Sequence, residues 1–175
     1  GFGTLGEILL KTGDSIKYID VDIPPTAHFS NFYLKEVFGA ENVSSFPDLE
    51  PLDEISIKNL KRASVLCSWQ LEKLVGKIDF FVNYISFQEM EREVVDNYLN
   101  HVSRLGAKWV MLRNLREGKQ VKKDNGLGVD KPIKSADYGD MLGSAYELIA
   151  QNVMPFGFKT VDGYHSEILI FKLKD

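Results

Sequence analysis

The sequence lacks several features, and each absence excludes a class of protein. It has one cysteine, Cys67, so no disulfide can form within the chain and a reducing, cytoplasmic location is expected. Lysine and arginine total 21 against 25 acidic residues, a net charge of −4, which disfavours nucleic acid as the main partner. The longest apolar runs, such as FFVNYISF at 80–87, are too short to span a bilayer. No cysteine-rich or HExxH pattern is present, so no metal site is predicted.

The residues that are present suit a soluble globular domain. Of the 175 residues, 44% are hydrophobic and 26% charged, and 11 Phe, 7 Tyr and 2 Trp can fill a sizeable core. This length is that of one ordinary domain, so we predict a single domain over 1–175.

Helical and strand patterns alternate along most of the chain. Buried-strand patterns occur at 15–23, 63–69, 77–86 and 107–114, and helical periodicity at 5–11, 26–39, 87–105 and 140–154. This alternation predicts an α/β fold with a mostly parallel sheet. A strand–turn–strand pattern at 158–174 predicts a C-terminal antiparallel hairpin. A short helix is predicted at 55–62, and the polar, glycine-bearing segment 116–138 is typical of a mobile loop or lid.

The first residues, GFGTLG, have the spacing GxGxxG. Such glycines let the backbone and a helix N-terminus approach a phosphate or cofactor closely. Asp22 ends the next predicted strand, where an acid hydrogen-bonds ribose hydroxyls in nucleotide-binding folds. We therefore predict that Gly1, Gly3, Asp22 and Ile23 contact a cofactor, with Asp20 as the competing acid. The alternative is a helix cap followed by a solvent-facing aspartate.

Two cofactor classes remain open on these residues alone. No Gly-Lys-Ser/Thr follows the glycines, which disfavours a phosphate-binding P-loop. A nicotinamide or flavin dinucleotide and S-adenosylmethionine both remain compatible. The strand that normally feeds such a glycine turn is absent from the printed sequence, and we expect an apolar strand ending in an acid to precede Gly1.

The C-terminal hairpin and three further stretches of sequence favour S-adenosylmethionine over a dinucleotide. An α/β sheet that ends in a helix-free hairpin resembles the class I S-adenosylmethionine-dependent methyltransferases. The stretches DFFVNYISFQEM, KYIDVDIPPTAHFSNFYL and LCSWQLEKL resemble the sugar O-methyltransferase family of that class. The resemblance covers 1 to about 114 and, more loosely, the rest. It implies a Rossmann-like sheet that lacks its first strand here and binds S-adenosylmethionine at the carboxyl ends of its strands.

Polar and aromatic side chains at the ends of the predicted strands are the remaining cofactor candidates. Trp69 and Gln70 follow the third strand, where the resemblance places the adenine ring, although a core tryptophan is nearly as compatible. Asn83 ends the fourth strand and is expected to contact the methionine part of the cofactor, the alternative being a turn former.

The catalytic and acceptor candidates lie nearby in the sequence. Glu89 is the first choice for the general base that takes a proton from an acceptor hydroxyl, and His165 is the second. Ser86 and Glu89 also fit a capping box, which is the structural alternative. Ser86, Arg113 and Asn114 are expected to hold the acceptor, or else to be solvated loop residues.

These expectations combine into one functional hypothesis and its rivals. The chain is expected to transfer a methyl group from S-adenosylmethionine to a hydroxyl of a sugar or glycan precursor, a class that rests on the resemblance alone. The alternatives are an NAD(P)-binding Rossmann oxidoreductase, for which no Tyr-x-x-x-Lys pattern is found, and a cofactor-binding domain without catalysis. The sequence makes no prediction about oligomeric state.

Overall fold

The computed structural model describes residues 1–118, 121–122, 126, 128–153, 159–161 and 163–175. The chain forms two compact units, Gly1–Gly76 and Lys77–Asp175, and each is described by itself. The single domain expected from the sequence stays a prediction. None of the helices in the described part of the chain has the length and hydropathy needed to cross a bilayer.

The first unit alternates helices and parallel strands. Its elements are α1 (Thr4–Thr12), β1 (Tyr18–Asp22), α2 (Thr26–Phe38), β2 (Val43–Ser44), α3 (Phe46–Leu49), β3 (Ile55–Ser56), β4 (Ala63–Cys67) and β5 (Leu74–Val75), with 3-10 turns at Ala40–Asn42 and Ser68–Lys73. Strands β1, β4 and β2 form a parallel sheet with β4 in the centre, and β3 pairs with β5. The helix predicted at 55–62 is therefore wrong, because Ile55 and Ser56 pair with β5 instead.

Burial explains the order of this sheet. Every residue of β4 is buried, as expected for a central parallel strand covered on both faces. The core of the unit joins this strand to α1 and α2 through Leu10, Ala27, Leu34, Val65 and Cys67. Removing these apolar side chains from water is the main term that holds the unit together.

Helix α1 lies unusually close to β1 because Gly6 has no side chain. A Cβ atom built on Gly6 would lie 2.5 Å from two ring carbons of Tyr18. Contacts this short do not occur, so only glycine permits the observed packing. This matches the role of the third glycine of GxGxxG, which allows close helix–strand packing.

We expect Gly6→Ala to destabilise the protein by about 1–3 kcal/mol, because the methyl group overpacks the Tyr18 ring. Gly13→Ala is the matched control: Gly13 has an extended backbone with φ −176°, and an added Cβ would meet only Ile16 at 3.8 Å. Its effect should stay within about 0.5 kcal/mol. Urea unfolding of both variants measures the difference; equal stability of the two would show that the α1–β1 packing adjusts freely.

The second unit carries a four-stranded mixed sheet. Its elements are β6 (Phe80–Tyr84), α4 (Arg92–Arg104), β7 (Trp109–Leu115), α5 (Asp137–Leu142), β8 (Tyr146–Asn152) and β9 (Ser166–Leu173), with 3-10 turns at Ser86–Glu89 and Gly143–Ala145. The strand order is β6-β7-β9-β8; β6 and β7 are parallel, and β9 is antiparallel to both of its neighbours. Helix α4 packs on the sheet through Val95, Leu99 and Val102.

The C-terminal antiparallel pair predicted from the sequence is confirmed, but its first strand was misplaced. The stretch 140–154 was predicted to be a helix, but in its described part the α-helix ends at Leu142, a 3-10 turn follows at Gly143–Ala145, and Tyr146–Asn152 forms β8. Between 159 and 165 the described residues show one isolated bridge, Lys159 to His165. Of the tight turn predicted around Asp162-Gly163, Asp162 lies outside the described residues, whereas the Gly163 N–H donates to the Thr160 carbonyl at 2.9 Å and the Thr160 N–H donates to the Tyr164 carbonyl at 2.7 Å. Strand β9 therefore pairs with a segment whose local sequence favours a helix and whose residues after Tyr146 are exposed, because hydrogen-bonded pairing with β9 outweighs local propensity.

Two parallel strands lie at the edges of their sheets. Among the described strands, β1 is hydrogen-bonded only to β4, and β6 only to β7. The additional strand expected before Gly1 stays a prediction.

Candidate functional site

In the first unit, the predicted cofactor residues lie at one edge of the sheet. Asp22 and Cys67 are register partners that end the parallel strands β1 and β4. Ile23 follows β1 with 56% of its side chain exposed, and Trp69 follows β4 with 49% exposed. The carboxyl edge of parallel strands is where ligands bind in open α/β sheets, so the fold leaves an acid and two apolar side chains open there.

The glycine turn contacts this acid directly. The Gly1 nitrogen lies 3.0 Å from Asp22 Oδ2, and the Ile23 N–H donates to Asp22 Oδ1 at 2.8 Å. Gly3 has φ +85° before α1, and a Cβ there would lie 3.0 Å from Ser30 Oγ. Both the backbone conformation and the space thus favour glycine.

Burial separates the two competing acids of β1. Asp20 is buried and accepts a hydrogen bond from the Ser30 hydroxyl. Burial raises the pKa of Asp20, and the bond from Ser30 opposes this rise only in part. The side chain of Asp22 keeps 22% of its surface exposed. Asp22 is therefore the carboxylate that a ligand can reach, as the sequence predicted, and Asp20 belongs to the interior.

Gln70 has a structural place that the sequence did not predict. It is fully buried; its Oε1 accepts from the Cys67 N–H at 2.8 Å, and its Nε2 donates to the Phe46 carbonyl at 2.9 Å and to Glu50 Oε2 at 3.0 Å. Burial therefore argues against the direct cofactor contact expected for Gln70. Its bonds fix the turn that presents Trp69, whose indole N–H donates to Glu50 Oε2 at 3.2 Å.

In the second unit, strand register also collects polar residues at one edge. Tyr84 at the end of β6 pairs with Arg113, and Leu115 at the end of β7 pairs with Ser166 at the start of β9. Because β9 is antiparallel, the residues before it lie at the same edge as the residues after β6 and β7. This edge holds Asn83, Ser86, Arg113, Arg116, Glu117 and His165.

Asn83 stabilises a strained turn after β6. Its Nδ2 donates to Ser86 Oγ at 2.6 Å, and its Oδ1 accepts from the Phe87 N–H at 3.2 Å. Between them Ile85 has φ +71°, the one non-glycine residue with positive φ in the described part of the chain. A β-branched residue in that region costs about 1–3 kcal/mol, and such strain clusters at functional sites. Asn83 thus acts as the turn former weighed in the sequence analysis, and its predicted ligand contact stays a prediction.

Glu89 and Asn114 lie in environments that differ from those expected. Glu89 is exposed at the end of the 3-10 turn. The N-cap of that turn is Ile85, which makes no side-chain capping bond, so Ser86 is not at the N-cap position that the predicted capping box requires. Asn114 is only 3% exposed, because alternation along β7 turns it inward, and a direct acceptor contact by Asn114 is not supported. Arg113 is half-buried at the edge.

An ion pair between the exposed Arg116 and the buried Glu167 anchors the chain after β7. Glu167, opposite Asn114 on β9, is 1% exposed and accepts from Arg116 Nε at 2.9 Å and from its terminal nitrogen at 2.7 Å. Burial raises the pKa of Glu167, but the hydrogen bond from Arg116 and its other partners outweigh this and lower the pKa overall. The pair fixes the first residue of the segment 116–138 against the sheet.

The next residue, Glu117, holds His165 at two points. Its Oε2 accepts from the His165 backbone N–H at 2.8 Å, and its Oε1 lies 2.6 Å from the ring Nδ1. Partial burial raises the pKa of Glu117, but the bonds from the His165 backbone and ring outweigh this and lower it from 4.5 to about 2. Glu117 is not predictable from the sequence as a partner of His165. It stands 48 residues before His165, and no sequence motif links the two residues.

This pair should contribute to acid stability. Because the pKa of Glu117 is lower in the folded chain, its contribution is complete above about pH 4.5 and is lost as the pH falls toward 2. We expect wild type to be more stable than Glu117→Gln at about pH 6, with the difference shrinking by about pH 3. Urea unfolding at both pH values measures this, with Glu147→Gln on the exposed face of β8 as control. A difference that stays constant with pH would mean that the Glu117 charge does not stabilise the fold.

Two other features fall outside the candidate site. A small cleft is lined by Leu10, Phe38, Asn42, Arg62 and Ala63, and it lies at the amino end of β4, opposite the carboxyl edge of the sheet. Among the described residues, no group of three histidine, cysteine, aspartate or glutamate side chains has a metal-binding arrangement.

Comparison with known proteins bears on the fold. No protein-family model matches the chain, and no curated protein matches it by sequence. The structure is similar to magnesium protoporphyrin IX methyltransferase (ChlM) from Synechocystis PCC 6803 with bound SAM, with a TM-score of 0.61 and 16% identity over 99% of this chain and 66% of that chain.

Two further solved structures are similar at the same TM-score of 0.61. They are the O-methyltransferase NcsB1 from neocarzinostatin biosynthesis, in complex with S-adenosyl-L-homocysteine and 1,4-dihydroxy-2-naphthoic acid, and the mitomycin 7-O-methyltransferase MmcR. Each is 12% identical over 99% of this chain and 47% of its own. The chain thus spans between about half and two thirds of the length of these proteins. At such identities the similarity establishes the fold, and the chain has the Rossmann-like α/β fold of the class I methyltransferases, with an antiparallel pair at the C-terminus.

Proposed function

We propose that this chain is an S-adenosylmethionine-dependent O-methyltransferase. The observation that carries the proposal is the partly exposed Asp22 carboxylate at the carboxyl edge of β1 and β4, in a fold shared with methyltransferases. The structures of ChlM and NcsB1 contain SAM and S-adenosyl-L-homocysteine respectively, which supports this cofactor class over a dinucleotide.

The residues of the first unit fit the cofactor's chemistry. An ionised carboxylate offers about four lone-pair positions, and two on Asp22 are occupied by backbone nitrogens. The others can accept hydrogen bonds from the two ribose hydroxyls. The exposed side chains of Ile23 and Trp69 offer apolar surface for an adenine ring.

The second unit contains the residue proposed to take a proton from the acceptor. When bound, S-adenosylmethionine supplies a methyl group on a positively charged sulfur, and displacement by the acceptor oxygen leaves a neutral thioether. His165 takes the hydroxyl proton, since an imidazole changes charge between about pH 5 and 8 and is a good base near neutrality. Glu89, exposed to water, is the weaker candidate. Arg113 and Ser86 at the same edge are available to orient the acceptor.

The acceptor is proposed to be a sugar or glycan precursor. This class rests on the resemblance of DFFVNYISFQEM to the sugar O-methyltransferase family. In support, the edge presents hydroxyl, guanidinium and imidazole groups, which hydrogen-bond to sugar hydroxyls.

Asp22→Asn should weaken binding of S-adenosylhomocysteine about 10- to 100-fold, because hydrogen bonds to a charged carboxylate are lost. Isothermal titration calorimetry on the full chain measures this. Asp53→Asn, at an exposed acid in the same unit, should bind as wild type does. Unchanged affinity in Asp22→Asn would remove Asp22 from the site, and wild-type binding of NAD or NADP alone would favour the oxidoreductase alternative.

His165→Gln should reduce turnover about 10²- to 10⁴-fold, the range for a general base, with little change in cofactor affinity. Release of S-adenosylhomocysteine in the presence of monosaccharides and nucleotide sugars measures turnover. His101→Gln on α4 is the matched control and should keep full activity. If Glu89→Gln loses turnover while His165→Gln keeps it, Glu89 is the base instead.

A further inference from the structure

We infer that Glu117 is a positioning residue that fixes His165 in the tautomer with the proton on Nδ1, leaving Nε2 free to accept the acceptor's proton. The catalytic meaning of this inference rests on the proposed function, but the tautomer itself does not. No sequence motif links the two residues, and the fold brings them together at the carboxyl edge of β7.

The chemistry of the contact between Glu117 and His165 determines which ring nitrogen carries the proton. Glu117 remains ionised down to about pH 2, and an ionised carboxylate only accepts hydrogen bonds. At 2.6 Å from Oε1, Nδ1 must therefore be the donor. A neutral imidazole carries one proton, so Nε2 then has the free lone pair that a general base needs. Among the described residues, no partner is bonded to Nε2.

Hydrogen bonds to the backbone of His165 fix the position of its ring. The other oxygen of Glu117 binds the His165 backbone N–H, and the Arg116 N–H donates to the His165 carbonyl at 2.8 Å. Arg116 is itself held by the buried carboxylate of Glu167. Glu117 is thus anchored through its neighbour, so the carboxylate does not need to be ordered by the ligand.

The chain contains an internal reference with the opposite tautomer. In His101 the ring Nδ1 lies 3.3 Å from Arg104 Nε and 3.2 Å from its terminal nitrogen. A guanidinium can only donate, so Nδ1 of His101 accepts and its proton sits on Nε2. The two histidines should therefore differ in the same sample.

Long-range ¹H–¹⁵N correlation NMR on the ¹⁵N-labelled full chain at about pH 8, where imidazoles are neutral, tests the inference. We expect His165 to show a protonated Nδ1 and His101 a protonated Nε2, with His165→Gln and His101→Gln assigning the signals. Glu117→Ala should shift His165 to the Nε2-protonated form, whereas Glu147→Ala should not. A protonated Nε2 in wild-type His165 overturns the inference without any variant, and an unchanged tautomer in Glu117→Ala does so as well.

Measurements of turnover distinguish a failure of this inference from a failure of the proposed function. Glu117→Ala is expected to lower kcat about 10- to 100-fold with the KM for S-adenosylmethionine unchanged, because a misoriented base loses part of its contribution. Glu117→Asp, which keeps the charge, should recover part of the rate. If His165→Gln retains full turnover while the tautomer result holds, the catalytic role of His165 fails but the positioning by Glu117 stands. If the tautomer result fails while His165→Gln is inactive, the base stands and Glu117 has no positioning role.

Discussion

In-register pairing of parallel strands is the constraint on which every candidate residue depends. In the first unit it aligns Asp22 with Cys67, so the residues that follow both strands emerge at one edge. In the second unit the parallel pairing of β6 with β7 does the same. The antiparallel β9 then brings its preceding residue, His165, to that edge as well. A shift of register by one residue would turn these side chains to the opposite face.

Four carboxylates have the same chemistry but different surroundings, and their burial and hydrogen-bond partners determine what each can do. Asp20 is buried against the Ser30 hydroxyl, and Asp22, two positions along the same strand, is open to a ligand. Glu167 is buried but paired with a guanidinium, which offsets the cost of removing a charge from water. Glu117 lies nearer the surface and uses both oxygens on one histidine. Residue type alone does not distinguish these cases.

Local sequence was a good guide where burial and propensity agree. The helices at 26–38 and 92–104 and the strands at 18–22, 63–67 and 80–84 fall within predicted segments of the same type, and the strand at 109–115 extends one residue beyond the predicted 107–114. It failed at 146–152, where Glu, Leu, Ala and Gln favour a helix, yet the segment pairs with β9. The helix expected from 87 onward begins only at Arg92, because the turn held by Asn83 occupies the residues before it.

The sequence by itself determined the alternating α/β pattern and the glycine turn, since these follow from short-range spacing and strand periodicity. It predicted Asp22 ahead of Asp20 as the cofactor acid, and the tertiary structure decided that Asp20 is the buried one. Only the tertiary structure decided that Gln70 and Asn114 are buried and that Glu89 is exposed, because burial depends on which elements pack against each face. Only it could join Glu117 to His165, since that contact requires β7 and β9 to pair across many intervening residues. The motif predicts where a cofactor would bind, and the fold brings Glu117 against His165, the proposed base.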